Sequence, residues 1–203
     1  MRHDAALRST GWWVMTLLAW GVAGYASMAL WNPEGIDFIA NREGGLRLGL
    51  IVHGVVGACA LAIGPFQFVA RLRATRPQWH RILGRVYLTA ILVSGLTGLW
   101  LAFHTPGGLP ANSGFFLLAV LWLLTGTLAL RSALQRDFVA HRLWMMRSYA
   151  LTFGAVTLRI YLGLGVPLAG LPFDAVYGMA AWASWVVNLL FVEWVLSART
   201  PGR

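Results

Sequence analysis

Six long apolar stretches constrain the fold of this chain more than any other feature. They cover residues 11–31, 46–70, 82–103, 114–130, 143–166 and 174–197. A helix of about 17 to 25 apolar residues can cross a hydrocarbon layer of about 30 Å. The composition agrees, because 58% of the residues are hydrophobic and 11% are charged, against roughly 45–50% and about 25% in soluble domains. The sequence predicts an all-α, polytopic membrane protein whose six transmembrane helices form a single domain over residues 1–203.

The arginines lie mainly between these stretches. The chain has 16 Lys and Arg residues, all of them Arg, and a formal net charge of +9. They are concentrated at both ends of the chain and around the second and fourth connections, at residues 71–85 and 131–147. Because cytoplasmic loops carry the excess of positive charge, both termini are expected in the cytoplasm. Nucleic-acid binding would need a water-facing basic surface, so the expected partner is the lipid bilayer.

A weak internal repeat relates two pairs of stretches. Residues 80–87 read HRILGRVY and open the third stretch, whereas residues 141–149 read HRLWMMRSY and open the fifth. Helices that repeat in the same orientation are related by an axis along the membrane normal. Spans two to five are therefore expected to form a four-helix bundle with pseudo-twofold symmetry. Such an axis would bring His80 and His141 to the same depth near the cytoplasmic surface.

Several motifs of this sequence resemble those of a known protein family. They are His53, GPFQF at 64–68, the two His-Arg segments, and TLR at 157–159. Together they resemble an uncharacterised family of bacterial integral membrane proteins, a domain of unknown function. The resemblance implies a multi-span protein of the bacterial inner membrane and brings no activity with it. The general plan is also similar to the haem-b four-helix membrane cytochromes.

The two histidines of the repeat are candidate ligands of haem b. Membrane bundles hold this cofactor between facing helices, with imidazole nitrogens on both axial positions and arginines near its carboxylates. His80 and His141 would be the metal ligands. The counter-charges in this prediction are Arg81, Arg85, Arg142 and Arg147.

A second polar layer is expected towards the opposite surface. His53 should lie level with Gly98 in a hairpin of spans two and three, and is a candidate metal ligand for a second haem or a contact for a quinone. Arg159 follows His141 by eighteen residues, which corresponds to five full helical turns. Both therefore lie on one helix face, and Arg159 would oppose an anionic group of the cofactor.

Each of these residues also has a purely structural interpretation. A His-Arg pair at a helix start can extend to lipid headgroups. Arg159 can pair with Asp174, and Glu193 is expected to pair with an arginine at the cytoplasmic end. The Gly64-Pro65 step is predicted to bend the second helix.

Three functions follow from these alternatives. The first is a b-type haem protein that transfers electrons between quinol or another donor and a partner. The second is a binding protein or carrier for an anionic lipid or metabolite, which would use the same arginines. The third is a structural subunit of a membrane complex without a cofactor, and a homo-oligomer is compatible with all three.

Overall fold

The computed structural model describes residues 2–170 and 172–198, and the regular structure within these ranges is entirely helical. Short 3-10 segments occur at Met28–Leu30, Pro33–Gly35 and Gly64–Phe68. The α-helices are α1 (Arg2–Ser27), α2 (Asp37–Ala40), α3 (Gly44–Ile63), α4 (Ala70–Thr75), α5 (Pro77–Ala102), α6 (Gly108–Leu134), α7 (Phe138–Ala169) and α8 (Phe173–Ser197). The predicted all-α class is confirmed.

Five segments of the described chain are long and apolar enough to cross a membrane. They are Thr10–Leu30, Gly44–Phe68, Pro77–Ala102, Gly108–Leu134 and Phe173–Ser197. α7 covers the remaining predicted stretch and, at 1.5 Å per residue, is about 48 Å long. It contains Arg142, Arg147 and Arg159. The polytopic membrane fold is confirmed, and the count of six spans stays a prediction.

Contacts divide the chain into two compact units, the first ending at Ser94 and the second beginning at Gly95. In the first unit α1 packs along α3. The connection between them folds back, and Ala29, Ile36 and Ile39 form a small buried cluster against Leu50 and Val55 of α3.

Pro65 ends α3 before the apolar stretch ends. Proline has no amide hydrogen and its ring clashes with the preceding turn, so the chain continues beyond Ile63 as a 3-10 segment. Indoles of α1 bond to carbonyls here: Trp12 Nε1 donates to Pro65 O at 3.1 Å, and Trp20 Nε1 donates to Ala62 O at 3.2 Å. The α-helix thus changes to a 3-10 helix at the Gly64-Pro65 step, and the predicted bend there stays a prediction.

The second unit is built on three helices that pack on one another, α6, α7 and α8. α7 runs antiparallel to the other two, which are parallel to each other. Between α6 and α7 the contacts are Trp122–Thr152 and Ala129–His141, so the residue number rises on one helix as it falls on the other. The same holds between α7 and α8, with Ala150–Asn188 and Arg147–Glu193. Between α6 and α8 the numbers rise together, from Gly107–Tyr177 to Gly114–Trp182.

Candidate cofactor-binding histidines

The two histidines of the repeat occupy the same position in their helices. His80 is the fourth residue of α5 and His141 is the fourth residue of α7. The backbone amide of His80 donates to Arg76 O at 3.2 Å, and that of His141 donates to Asp137 O at 2.9 Å. Both hydrogen bonds close the first helical turn. The repeat seen in the sequence therefore has a local structural counterpart.

Different residues begin the two helices. Pro77 is the first residue of α5, a position where proline loses no hydrogen bond and its fixed φ suits the helix. Asp137 caps α7, because its carboxylate accepts a hydrogen bond from Ala140 N at 2.9 Å. Two unrelated helix-start signals thus produce the same placement of histidine.

The imidazole of His141 is held by the preceding helix. Its Nδ1 lies 2.8 Å from Ala129 O on α6, and the side chain is partly buried. A carbonyl oxygen can only accept, so Nδ1 carries the proton. The lone pair is then on Nε2. A metal-binding histidine is typically oriented in this way, with its other ring nitrogen donating to a carbonyl.

One additional residue in the second copy changes the surroundings of its arginine. Arg85 follows His80 by five positions and Arg147 follows His141 by six, which turns the second side chain about 100° further around its helix. Arg85 is exposed, whereas Arg147 is partly buried.

Arg147 forms a two-pronged ion pair with Glu193 of α8. Its Nε donates to Oε1 at 2.6 Å and its Nη2 donates to Oε2 at 2.9 Å. The guanidinium carbon also lies 4.8 Å from the centre of the Trp144 ring, within the range of a cation–π contact. The predicted pairing of Glu193 with an arginine is confirmed.

The remaining arginines near the two histidines have exposed side chains. Arg81, Arg85 and Arg142 are exposed. Within the described parts of the chain, none of the three forms an ion pair with a carboxylate. Their charge is therefore available to an anionic group.

His53 is held in a compact polar contact with α5. Its Nδ1 lies 2.8 Å from Ser94 O, and Ser94 Oγ donates to His53 O at 2.9 Å. One turn further along α3 is Gly57, where an added Cβ would lie 2.9 Å from Ser94 Oγ. The expected neighbour of His53 was Gly98. Ser94 precedes Gly98 by four residues, a separation of about 6 Å along the helix. His53 therefore contacts α5 about one helical turn before the expected position.

Arg159 and His104 each bond to their own helix. Arg159 Nη1 donates to Ala155 O at 2.8 Å. His104 is exposed, and its Nδ1 lies 2.9 Å from Trp100 O. Pairing of Arg159 with Asp174 stays a prediction.

Several polar contacts were not predicted from the sequence. Trp122 Nε1 donates to Thr152 Oγ1 at 2.8 Å, and Asn188 Nδ2 donates to Thr157 Oγ1 at 2.8 Å. Each of these contacts involves a polar side chain within an apolar stretch, and such a side chain commonly marks a contact between helices in membranes. The partner could not be derived, because it depends on how the helices are rotated.

The histidines do not form part of a larger cluster of metal ligands. No group of three or more His, Cys, Asp and Glu side chains is close enough to hold a metal ion in residues 2–170 and 172–198. A haem brings most of the ligands of its own iron, so two histidines would be enough to hold it.

The family model described as Predicted membrane protein (DUF2306) matches residues 50–196. No curated protein matches the chain. No solved structure matches it either.

Proposed function

The chain belongs to the family described as Predicted membrane protein (DUF2306), and from this premise we propose that it is an integral membrane b-type haem protein. The proposed reaction is electron transfer between quinol or another donor and a partner. His80 and His141 are the residues that would hold the haem iron. The bacterial inner membrane, with both termini in the cytoplasm, is the proposed location.

The hydrogen bond from His141 Nδ1 to Ala129 O carries this proposal. It selects the tautomer whose Nε2 can ligate iron and restrains the rotation of the ring. A lipid-facing histidine that only reaches for headgroups has no need of a fixed ring. The matching position of His80 on α5 supports its assignment as the second ligand.

The nearby arginines fit the charge of the cofactor. Haem b carries two propionates, and a carboxylate near a membrane requires cations or hydrogen-bond donors. Arg81, Arg85 and Arg142 are exposed beside the two ligands. Arg147 uses Nε and Nη2 for Glu193, which leaves its Nη1 for a propionate. When bound, the haem would supply reversible one-electron transfer.

His53 is the proposed ligand or contact of a second redox group, a haem or a quinone. The support is again a ring held by a carbonyl, since Nδ1 donates to Ser94 O and Nε2 carries the lone pair. Arg159 would then oppose an anionic group of that cofactor.

Spectroscopy of the purified protein tests the proposal. We expect a reduced-minus-oxidised spectrum with Soret and alpha bands. These bands should be lost in His80→Ala and in His141→Ala, with helicity unchanged by circular dichroism. His104→Ala is the matched control, because this histidine is exposed and bonds to its own helix. Colourless, well-folded wild-type protein would overturn the proposal.

A second function is favoured by Arg81, Arg85 and Arg142, which are exposed and form no ion pair within the described residues. Arginines that find no carboxylate in the described chain suit a phosphate group, so the protein would bind or carry an anionic lipid or metabolite. The same preparations distinguish the two functions. Phosphorus that co-purifies without a chromophore and is lost in Arg85→Gln supports the second function and contradicts the first.

A further inference from the structure

A cavity of about 480 Å³ opens between the start of α6 and the first three turns of α8. The described residues that line it are Gly107 and Pro110 at the start of α6, and Asp174, Ala175, Gly178, Met179 and Trp182 on α8. The two helices are in close contact beside it, since a Cβ added to Gly178 would lie 3.3 Å from Pro110 Cβ. Its size falls within the range of about 300–1,000 Å³ that is typical of ligand pockets.

The side chains of this lining offer a ligand a hydrogen-bond acceptor and no free donor. Asp174 is the one charged residue among the described residues that line the cavity, and it is exposed. Trp182 brings the one side-chain donor of the lining, and its Nε1 already donates to Pro110 O at 2.9 Å. An anionic ligand would therefore meet a carboxylate and no donor side chain. An ammonium group, which has only donors and a positive charge, suits this lining.

The charged and the apolar parts of the lining lie at different depths. Asp174 is the second residue of the candidate span Phe173–Ser197, at the level where lipid headgroups meet the hydrocarbon layer. Gly178 and Trp182 follow Asp174 by four and eight residues, the spacing of one helix face, and Trp182 is about 12 Å further along the helix. Met179 and Trp182 are both exposed. A ligand that fills the cavity therefore has a cationic head at the surface and an apolar chain that extends into the bilayer.

We propose that this cavity binds a membrane lipid with a primary ammonium head group, of the phosphatidylethanolamine class. The ammonium donates hydrogen bonds to the Asp174 carboxylate, and one acyl chain lies along Met179 and Trp182. A choline head group is excluded from this hydrogen bond, because its quaternary nitrogen carries no hydrogen. The site is independent of the proposed haem. It also lies at the end of the three-helix unit opposite to His141, whose ring contacts Ala129 near the other end of α6.

Native mass spectrometry of the purified full-length chain in detergent micelles tests the inference. The probes are dioleoyl phosphatidylethanolamine and dioleoyl phosphatidylcholine, which have identical chains. We expect the wild type to bind the ethanolamine lipid about tenfold more tightly, because a hydrogen bond to a charged group distinguishes the two heads. Asp174→Asn should remove this preference and leave the affinity for the choline lipid unchanged. Asp37→Asn, which alters an exposed carboxylate in the first turn of α2, is the matched control and should keep the preference.

Filling the cavity provides a second test. Ala175→Phe, at an exposed position of the lining, should weaken the binding of both lipids. Ala74→Phe, at an exposed position of α4 outside the lining, should weaken neither. Equal affinity of the wild type for the two lipids, or an unchanged preference in Asp174→Asn, would overturn the proposal. A wild-type dimer that Ala175→Phe converts to a monomer would also overturn it, because a second copy of the chain would then fill the cavity.

Discussion

The Arg147–Glu193 pair shows how a charge is accommodated between α7 and α8. The Arg147 side chain is 23% exposed and that of Glu193 is 44% exposed, so water screens part of their attraction. Two parallel hydrogen bonds and the Trp144 ring nevertheless give the guanidinium one defined position. At the level of single residues, the pair fixes the rotation of α7 against α8. It also reduces the number of Arg147 hydrogen-bond donors that remain for an anionic ligand.

Removing the charge from Glu193 should therefore loosen the α7–α8 contact. We expect Glu193→Gln to lower the free energy of unfolding by about 1 kcal/mol, or the melting temperature by about 2–4 °C. Thermal unfolding in detergent followed by circular dichroism measures this. Glu34→Gln, which breaks the exposed Arg47–Glu34 pair, is the control and should change stability less. An equal effect of the two variants would contradict the argument.

Close helix contacts in the second unit depend on small residues. Gly114 of α6 faces α8, and a Cβ there would lie 2.9 Å from Trp182 Cδ1 and 3.1 Å from Ala181 C. Because Ala181 C is a backbone atom, the helix itself would have to move. Close approach at small residues is the usual basis of helix association in membranes. At the level of elements, Gly114 sets the distance between α6 and α8.

Gly114→Ala should accordingly destabilise the three-helix unit. An overpacked contact costs about 1–3 kcal/mol, which corresponds to a drop of several degrees in melting temperature. Gly163→Ala on α7 is the control, since its Cβ would meet nothing within 4 Å, and alanine favours helix more than glycine does. The same measurement would contradict the prediction if Gly114→Ala were as stable as Gly163→Ala.

At the level of the whole molecule, α7 decides how many times the chain crosses the membrane. It is not among the five candidate spans found in the described chain. It nevertheless packs antiparallel to α6 and α8, both of which are candidate spans. A helix that lies along two membrane-spanning neighbours crosses the same layer. The geometry therefore favours six spans.

Cysteine labelling from each side of the membrane measures this topology. In a Cys59→Ser background, we expect Thr75→Cys and Gln135→Cys to react from the cytoplasmic side. Glu34→Cys and Pro172→Cys should react from the opposite side. Cys59→Ser alone, with no cysteine left, is the control. If Gln135→Cys and Pro172→Cys react from the same side, α7 does not cross the membrane and the six-span prediction is wrong.

Features encoded in contiguous residues were predictable. The apolar stretches, the break at Pro65 and the matched helix starts before His80 and His141 depend on local chemistry and on the length needed to cross a bilayer. The sequence also indicated that Glu193 needs a cation, because a charge near a membrane cannot stay unpaired at low cost.

The sequence by itself determined a helical membrane protein with a repeated His-Arg motif and a Gly64-Pro65 step near the end of its second apolar stretch. Only the tertiary structure decided which groups meet: the carbonyl of Ala129 for His141, Ser94 for His53, and Gly84 for Gln67. These partners are 12, 41 and 17 residues apart along the chain. Their contact depends on the rotation and register of whole helices, which close packing at residues such as Gly114 determines and local sequence does not encode.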